Sequence, residues 1–112
     1  MDTITWNDFE KVEMRVGTII AATEFTGAKN AAYQIQINFG DEIGIKKSSA
    51  QITVKYSAAD LIGKQIVAVV NFPNKQIGTY MSECLIMGSL GLGNEVVLLS
   101  PDMIVENGLR IG

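Results

Sequence analysis

The side chains able to do chemistry in this chain are few, and they gather in two places. The connection from Asn71 to Tyr80 carries Asn71, Lys75 and Tyr80, with Ser82 just beyond it, all suited to binding. Lys46, Lys47, Ser48 and Ser49 form the most basic and hydroxyl-rich spot in the chain. Catalytic sets are missing. There is no histidine, so neither a histidine general base nor the commonest zinc ligand is available. Cys84 lies among Leu85 and Ile86 with no cation beside it in sequence, the setting of a buried, inert thiol. No carboxylate pair has motif spacing, and Glu83 beside Cys84 is not a metal cluster. Gly88, Gly91 and Gly93 resemble a phosphate cradle only in composition. A strand follows them, with Glu95 at its entrance, where a phosphate loop needs a helix N-terminus and usually a lysine. The chain is therefore expected to bind and not to catalyse, without cofactor or metal.

The elements that must position these residues are mostly strands. The organising run is Ile66 to Val70, apolar throughout, so both of its faces need covering, one by a core, with a partner subunit as a candidate for the other. Pro73 and Gly78 interrupt the chain before a second apolar run, Cys84 to Met87. Upstream, Trp6 to Lys11 is expected to be a short helix with Asn7 as N-cap and Glu10 in the capping-box position. Met14 to Phe25 is a strand with Met14, Val16, Thr18 and Ile20 on one face, and Gly17 marks a bend or bulge in it. Tyr33, Ile35, Ile37 and Phe39 alternate with Gln34, Gln36 and Asn38, the mark of a strand with one wet face. Gly40 to Glu42 turns the chain into a hairpin partner over Ile43 to Lys47. Gln51 to Leu61 mixes helical and turn signals, with Ser57 and Asp60 at capping-box spacing. The three late glycines lead as a mobile connection into a buried strand at Glu95 to Ser100.

Five or so short strands with a helical insert between the third and fourth predict an all-β, five-stranded Greek-key barrel of the OB type. At 112 residues a single domain over 1–112 is expected, with 1–12 and 101–112 as extensions. Trp6, Phe9 and Val12 at one end and Met103, Ile104, Val105, Leu109 and Ile111 at the other are too apolar for free termini and should dock. The acidic start MDTITWNDFEK is unlike a secretion signal, no window is apolar enough to span a membrane, and the single cysteine can form no intrachain disulfide. A cytoplasmic location is expected. Net charge is −3, which disfavours a dedicated nucleic-acid binder.

Longer phrases carry a family resemblance. KKSSAQI at Lys46 to Ile52, LIGKQIVAVVNF at Leu61 to Phe72 and SECLIMGS at Ser82 to Ser89 resemble the tRNA-binding domain family, an OB fold appended to some aminoacyl-tRNA synthetases and cytokine-like proteins. FEKVEMRVGTI, NFGDEIGIKKSSAQIT, VVNFP, VVLLSPD and NGLRIG are similar to its stand-alone CsaA type, chaperones linked to protein export. The loop after Phe25 is least alike. The resemblance implies a homodimer whose interface lies in the terminal segments, where Trp6, Phe9, Ile104, Leu109 and Ile111 sit. It implies unfolded or preprotein segments and the export machinery as partners, with tRNA as the alternative. Ser49, Asn71 and Ser82 match polar positions of the family's nucleic-acid-binding pattern, and Lys75 falls in its basic loop. Where tRNA binders tend to have several cations there, this chain has Asn74, Lys75 and Gln76.

Two readings of the site follow. As an ATP-independent chaperone, the protein would take apolar client side chains in pockets near Phe72, Tyr80 and Met81, lysines at the rim meeting carbonyl or acidic groups. As a tRNA-binding module it would use Lys46, Lys47, Ser49, Asn71, Lys75 and Ser82. Each residue also has a plainer role. Tyr80, Met81 and Met87 suit a core, the lysines suit solvated edge positions, and the polar residues suit loop hydrogen bonds.

Overall fold

The computed structural model describes all 112 residues. Helix α1, Trp6–Glu10, opens on a capping box from Thr5, whose hydroxyl accepts the Asp8 N–H at 3.1 Å while the Asp8 carboxylate accepts the Thr5 N–H at 3.0 Å. The capping box thus lies two residues before the expected Asn7 and Glu10 pair, because Thr5 and Asp8 already satisfy the donors of the helix's first turn. None of the helix is buried.

Strands β1 (Met14–Glu24), β2 (Tyr33–Asn38) and β3 (Ile45–Ala50) run as an antiparallel meander. After helix α2 (Ala58–Leu61), strand β4 (Gln65–Val69) pairs with the first half of β1, Val16 opposite Val67. Two hairpin strands follow, β5 (Lys75–Ile77) and β6 (Tyr80–Ser82). β7 (Leu85–Ile86) then returns to β4, giving one sheet in the order β3-β2-β1-β4-β7. A last hairpin, β8 (Gly88–Leu90) with β9 (Val96–Leu98), turns through a 3-10 segment at Leu92–Asn94. With 38% strand and 11% helix, the architecture is a nearly closed five-stranded antiparallel barrel of the OB type. The glycine-rich connection is therefore a short hairpin, and the strand after it is not buried. Val96 and Leu98 are half-buried, and Val97 is exposed.

β1 serves two neighbours in succession, β4 before Thr18 and β2 after it, and the register slips between Ile19 and Ala21. The bulge thus falls at exposed Ile20, where the expected alternation breaks, while upstream of it Val16 and Ile19 are both buried although they lie on opposite faces of the strand. Gly17 answers a different need. A Cβ there would stand 2.5 Å from Cγ2 of Ile37 and 2.7 Å from the Phe39 ring, so only glycine lets these side chains cross β1. β3 begins two residues later than expected, because Gly44 takes φ +83° and donates its N–H to Gly40 at 2.7 Å, closing the turn. It also runs on to Ala50, which places Lys46 to Ser49 within the strand.

The core gathers Ile35, Ile37 and Phe39 with Ile19, Ile52, Leu61, Ile66, Ala68 and Cys84. All five residues of β4 are buried within this one chain, so of the candidate covers for its second face a partner subunit is not needed. Part of that cover is the segment after β9, whose Leu99 carbonyl accepts the Val67 N–H at 3.2 Å. The tail then completes the sheet. Gly108 donates to Val16 at 2.7 Å, Val16 to Leu109 at 3.0 Å and Ile111 to Met14 at 2.9 Å. No helix is long and apolar enough to cross a membrane.

Candidate functional site

The two chemistry-bearing stretches meet along the seam where the barrel fails to close, between β3 and the segment running from β6 into β7. Across it the Glu83 N–H donates to the Lys47 carbonyl at 2.7 Å, and the Glu83 carboxylate accepts the Lys47 N–H at 2.9 Å. The buried Ser48 hydroxyl donates to the Cys84 carbonyl at 2.9 Å. One step further along β3 the contact loosens, and the Ser49 N–H reaches the Ser82 hydroxyl only at 3.5 Å. The backbone and carboxylate of Glu83, with the Ser82 hydroxyl, thus stand in for a neighbouring strand along an edge that would otherwise be open.

Three depressions succeed one another along this seam. One of about 600 Å³ is lined by Phe72, Pro73, Lys75, Gln76, Ser82, Cys84 and Leu85. A second, of about 420 Å³, shares Lys75, Gln76, Ser82, Cys84 and Leu85 and adds Lys29, Ser49 and Gln51. The third, of about 450 Å³, shares Ser49, Gln51 and Leu85 and continues to Ile52, Met87, Leu90 and Val96. Leu85 lines all three, and together they form a groove with an apolar floor and a mainly uncharged polar rim. Lys29 and Lys75 are its only lining cations.

The structure distributes the expected site residues unevenly. Phe72, Lys75, Ser49 and Ser82 line the groove, and Phe72 is 55% exposed. Tyr80 is held from several sides. Its hydroxyl donates to the Ile35 carbonyl at 3.2 Å, its ring meets Phe25 edge-on at 5.6 Å, and the Lys47 ammonium sits 5.3 Å from the ring centre. Burial, then the Glu83 carboxylate and Cys84, pushes its phenol above the ordinary value. Met81 is half-buried and Lys46 lies farther down β3, neither of them lining the groove. Asn71 turns away from it, accepting the Glu13 N–H at 3.0 Å and donating to the Lys11 carbonyl at 2.6 Å, a splint for the chain entering β1. Trp6 and Phe9 pair at 5.5 Å on the outside of α1, and Ile104 and Leu109 are exposed on the tail, with Ile111 half-buried beside β1.

Leu85, Gln51, Gln76 and Leu90 were not among the expected site residues. The signal for Leu85 was available, since in a strand Cys84 and Ile86 share one face and Leu85 must take the other. Cys84 fits no nucleophilic role. Burial above all pushes its thiol up to about 12, leaving almost no thiolate at neutral pH. Nowhere do three or more cysteine or carboxylate side chains gather so as to hold a metal ion.

The five-stranded OB barrel with its grooved seam has known relatives. Residues 14–110 match the family described as "Putative tRNA binding domain", and the chain belongs to that family. It is similar to the chaperone CsaA of Bacillus anthracis strain Ames (45% identity, TM-score 0.94), covering 99% of this chain and 100% of that one. It is also similar to the CsaA chaperone protein of Picrophilus torridus (49% identity, TM-score 0.92), covering 98% and 100%. A methionine–tRNA ligase of Leptospira biflexa is 34% identical over 105 residues, which are 94% of this chain but 15% of the ligase. The chain therefore spans a small fraction of the synthetase relatives it matches.

Proposed function

We propose that this protein is a CsaA-like, ATP-independent chaperone that holds unfolded or preprotein segments on their way to export, acting as a homodimer. The observation that carries the reading is the similarity, end to end on both chains, to two proteins called chaperones at 45% and 49% identity. The groove supports it, with Phe72 and Leu85 exposed beside uncharged rim groups. Holding is passive and opposes aggregation by mass action on the unfolded chain. The apolar outer face of α1 and exposed Met103, Ile104 and Leu109 supply a surface for the second subunit.

tRNA binding is the second reading, supported by the family match and the synthetase relatives. Lys46, Lys47 and Lys75 could neutralise few phosphates, so such binding would fall with salt, roughly 30-fold between 50 and 200 mM for three contacts. The deciding experiment is fluorescence anisotropy against a labelled unfolded preprotein segment and against labelled tRNA at both salts. Peptide binding that survives salt while tRNA binding collapses is expected. Tight tRNA binding at 200 mM with no peptide binding would replace the chaperone reading. Lys46, Lys47 and Lys75 changed together to alanine should abolish tRNA binding and spare most peptide binding.

A further inference from the structure

Strand β3 has an outer edge that is only partly used. Alternate residues of a strand direct their backbone groups to the same side, and Lys47 defines that side by exchanging two hydrogen bonds with Glu83. Ser49 must face the same way. Its N–H meets only the Ser82 hydroxyl at 3.5 Å, the outer limit of a hydrogen bond, and that hydroxyl is itself only 3.4 Å from the Cys84 carbonyl. No loop, tail or side-chain donor reaches the Ser49 carbonyl, and the backbone of exposed Gln51 beyond it is likewise unmet. This stretch lines the middle of the groove, with a depression floored by Phe72 and Leu85 on one side and another floored by Ile52, Met87 and Val96 on the other.

The geometry points to strand addition: an extended polypeptide pairs with the outer edge of β3 at Ser49 to Gln51, displacing the Ser82 latch, with alternate apolar side chains entering the flanking depressions. The inference rests on the polypeptide-holding reading and names its mode. Residues i and i+2 of a strand lie about 7 Å apart on one face, so alternate side chains of the added strand project to the same side. Backbone pairing supplies affinity without demanding sequence, as a holder of varied clients needs. Charge favours a polypeptide over RNA here. The Ser49 carbonyl needs a donor, which phosphate oxygens are not, and the Glu83 carboxylate is fixed next to the same edge.

The test uses the intact protein and an eight-residue fluorescent peptide alternating leucine and threonine, together with versions N-methylated at single backbone positions. N-methylation removes a backbone donor and leaves the side chains in place. Methylation at alternate positions along one edge of the peptide should weaken binding at least tenfold, and at the intervening positions less than twofold. The amide of Gln51 should exchange at least tenfold more slowly when the peptide is bound. Ser82→Ala should preserve or modestly raise affinity, because the latch is gone. Leu85→Arg should lower it at least tenfold, and the exposure of Leu85 makes that variant compatible with folding. If the parent peptide binds but methylation has no positional pattern and Gln51 exchange is unchanged, strand addition is overturned while polypeptide holding stands. A tenfold loss in Ser82→Ala would make Ser82 a direct ligand contact and overturn the latch. If neither the parent peptide nor an unfolded client binds, both fall together.

Discussion

The carboxamide of buried Gln65 grips the backbone of Val105 at both ends, accepting its N–H at 3.0 Å and donating to its carbonyl at 2.6 Å. A second donation, 3.2 Å to Asn107, joins a carbonyl oxygen that also accepts the Thr18 hydroxyl at 2.7 Å. One side chain thus does the work of a strand neighbour and fixes the tail where it meets β1.

Gln65→Glu keeps the acceptor and loses both donors, leaving the Val105 carbonyl and Asn107 facing a carboxylate. A destabilisation of about 2–3 kcal/mol is expected. Urea denaturation measures it, and faster amide exchange at Gly108 and Ile111 would locate the damage in the tail. A variant as stable as the parent would show that the tail does not depend on this grip.

Gly17→Ala places a methyl group 2.5 Å from Ile37 and 2.7 Å from Phe39, both fully buried. Overpacking of that kind costs about 1–3 kcal/mol. The urea midpoint should fall with the slope unchanged. Gly44→Ala also meets strain, but from its φ of +83° in open space and not from a clash.

Cys84 should make the protein alkali-sensitive. Its folded thiol is pushed up to about 12, above its ordinary value near 9, so the folded state resists ionisation that the unfolded chain accepts. The contribution is complete below pH 9 and is lost as pH rises toward 12. At pH 10 the stability of the parent relative to Cys84→Val should be lower by about 1.4 kcal/mol than at pH 7. Equal pH slopes in the two proteins would contradict it. Alkylation by iodoacetamide at pH 8 should also be far slower than for a free thiol.

The homodimer proposed above predicts that Ile104→Glu or Trp6→Glu halves the mass in sedimentation equilibrium while leaving the circular dichroism of the barrel intact. Both side chains are largely exposed, at 81% and 69%, so neither change opens a hole in the core. A parent protein that sediments as a monomer would remove the dimer from the proposal.

What could be read in advance depended on whether burial repeats along the chain. Tyr33 to Phe39 alternates strictly, and its four large side chains are indeed inward. Ile66 to Val69 shows no alternation and is buried on both faces, but which segments cover it is a matter of contacts far apart in sequence. Ile20 could not be placed from the pattern, because a bulge inverts alternation without changing composition. In the candidate site, Phe72, Lys75, Ser49 and Ser82 were legible as polar or aromatic residues in the flanks of turns. Leu85 was hidden by its apolar neighbours. Asn71 looked like a ligand contact, and the hydrogen bonds that occupy its amide lie about sixty residues away in sequence.

The pairing of Gly108 to Ile111 with Met14 to Val16 also sets an order of events. These partners lie more than ninety residues apart, so their contact closes one of the longest loops the chain can make and carries the entropic delay that goes with it. Until the tail has been synthesised and has docked, the outer edge of the first half of β1 stays unpaired, and a nascent barrel exposes a strand that a second unfinished chain could borrow. A peptide spanning residues 105–112, added in excess during refolding, would compete for that edge and give a direct measure of how long it stays open.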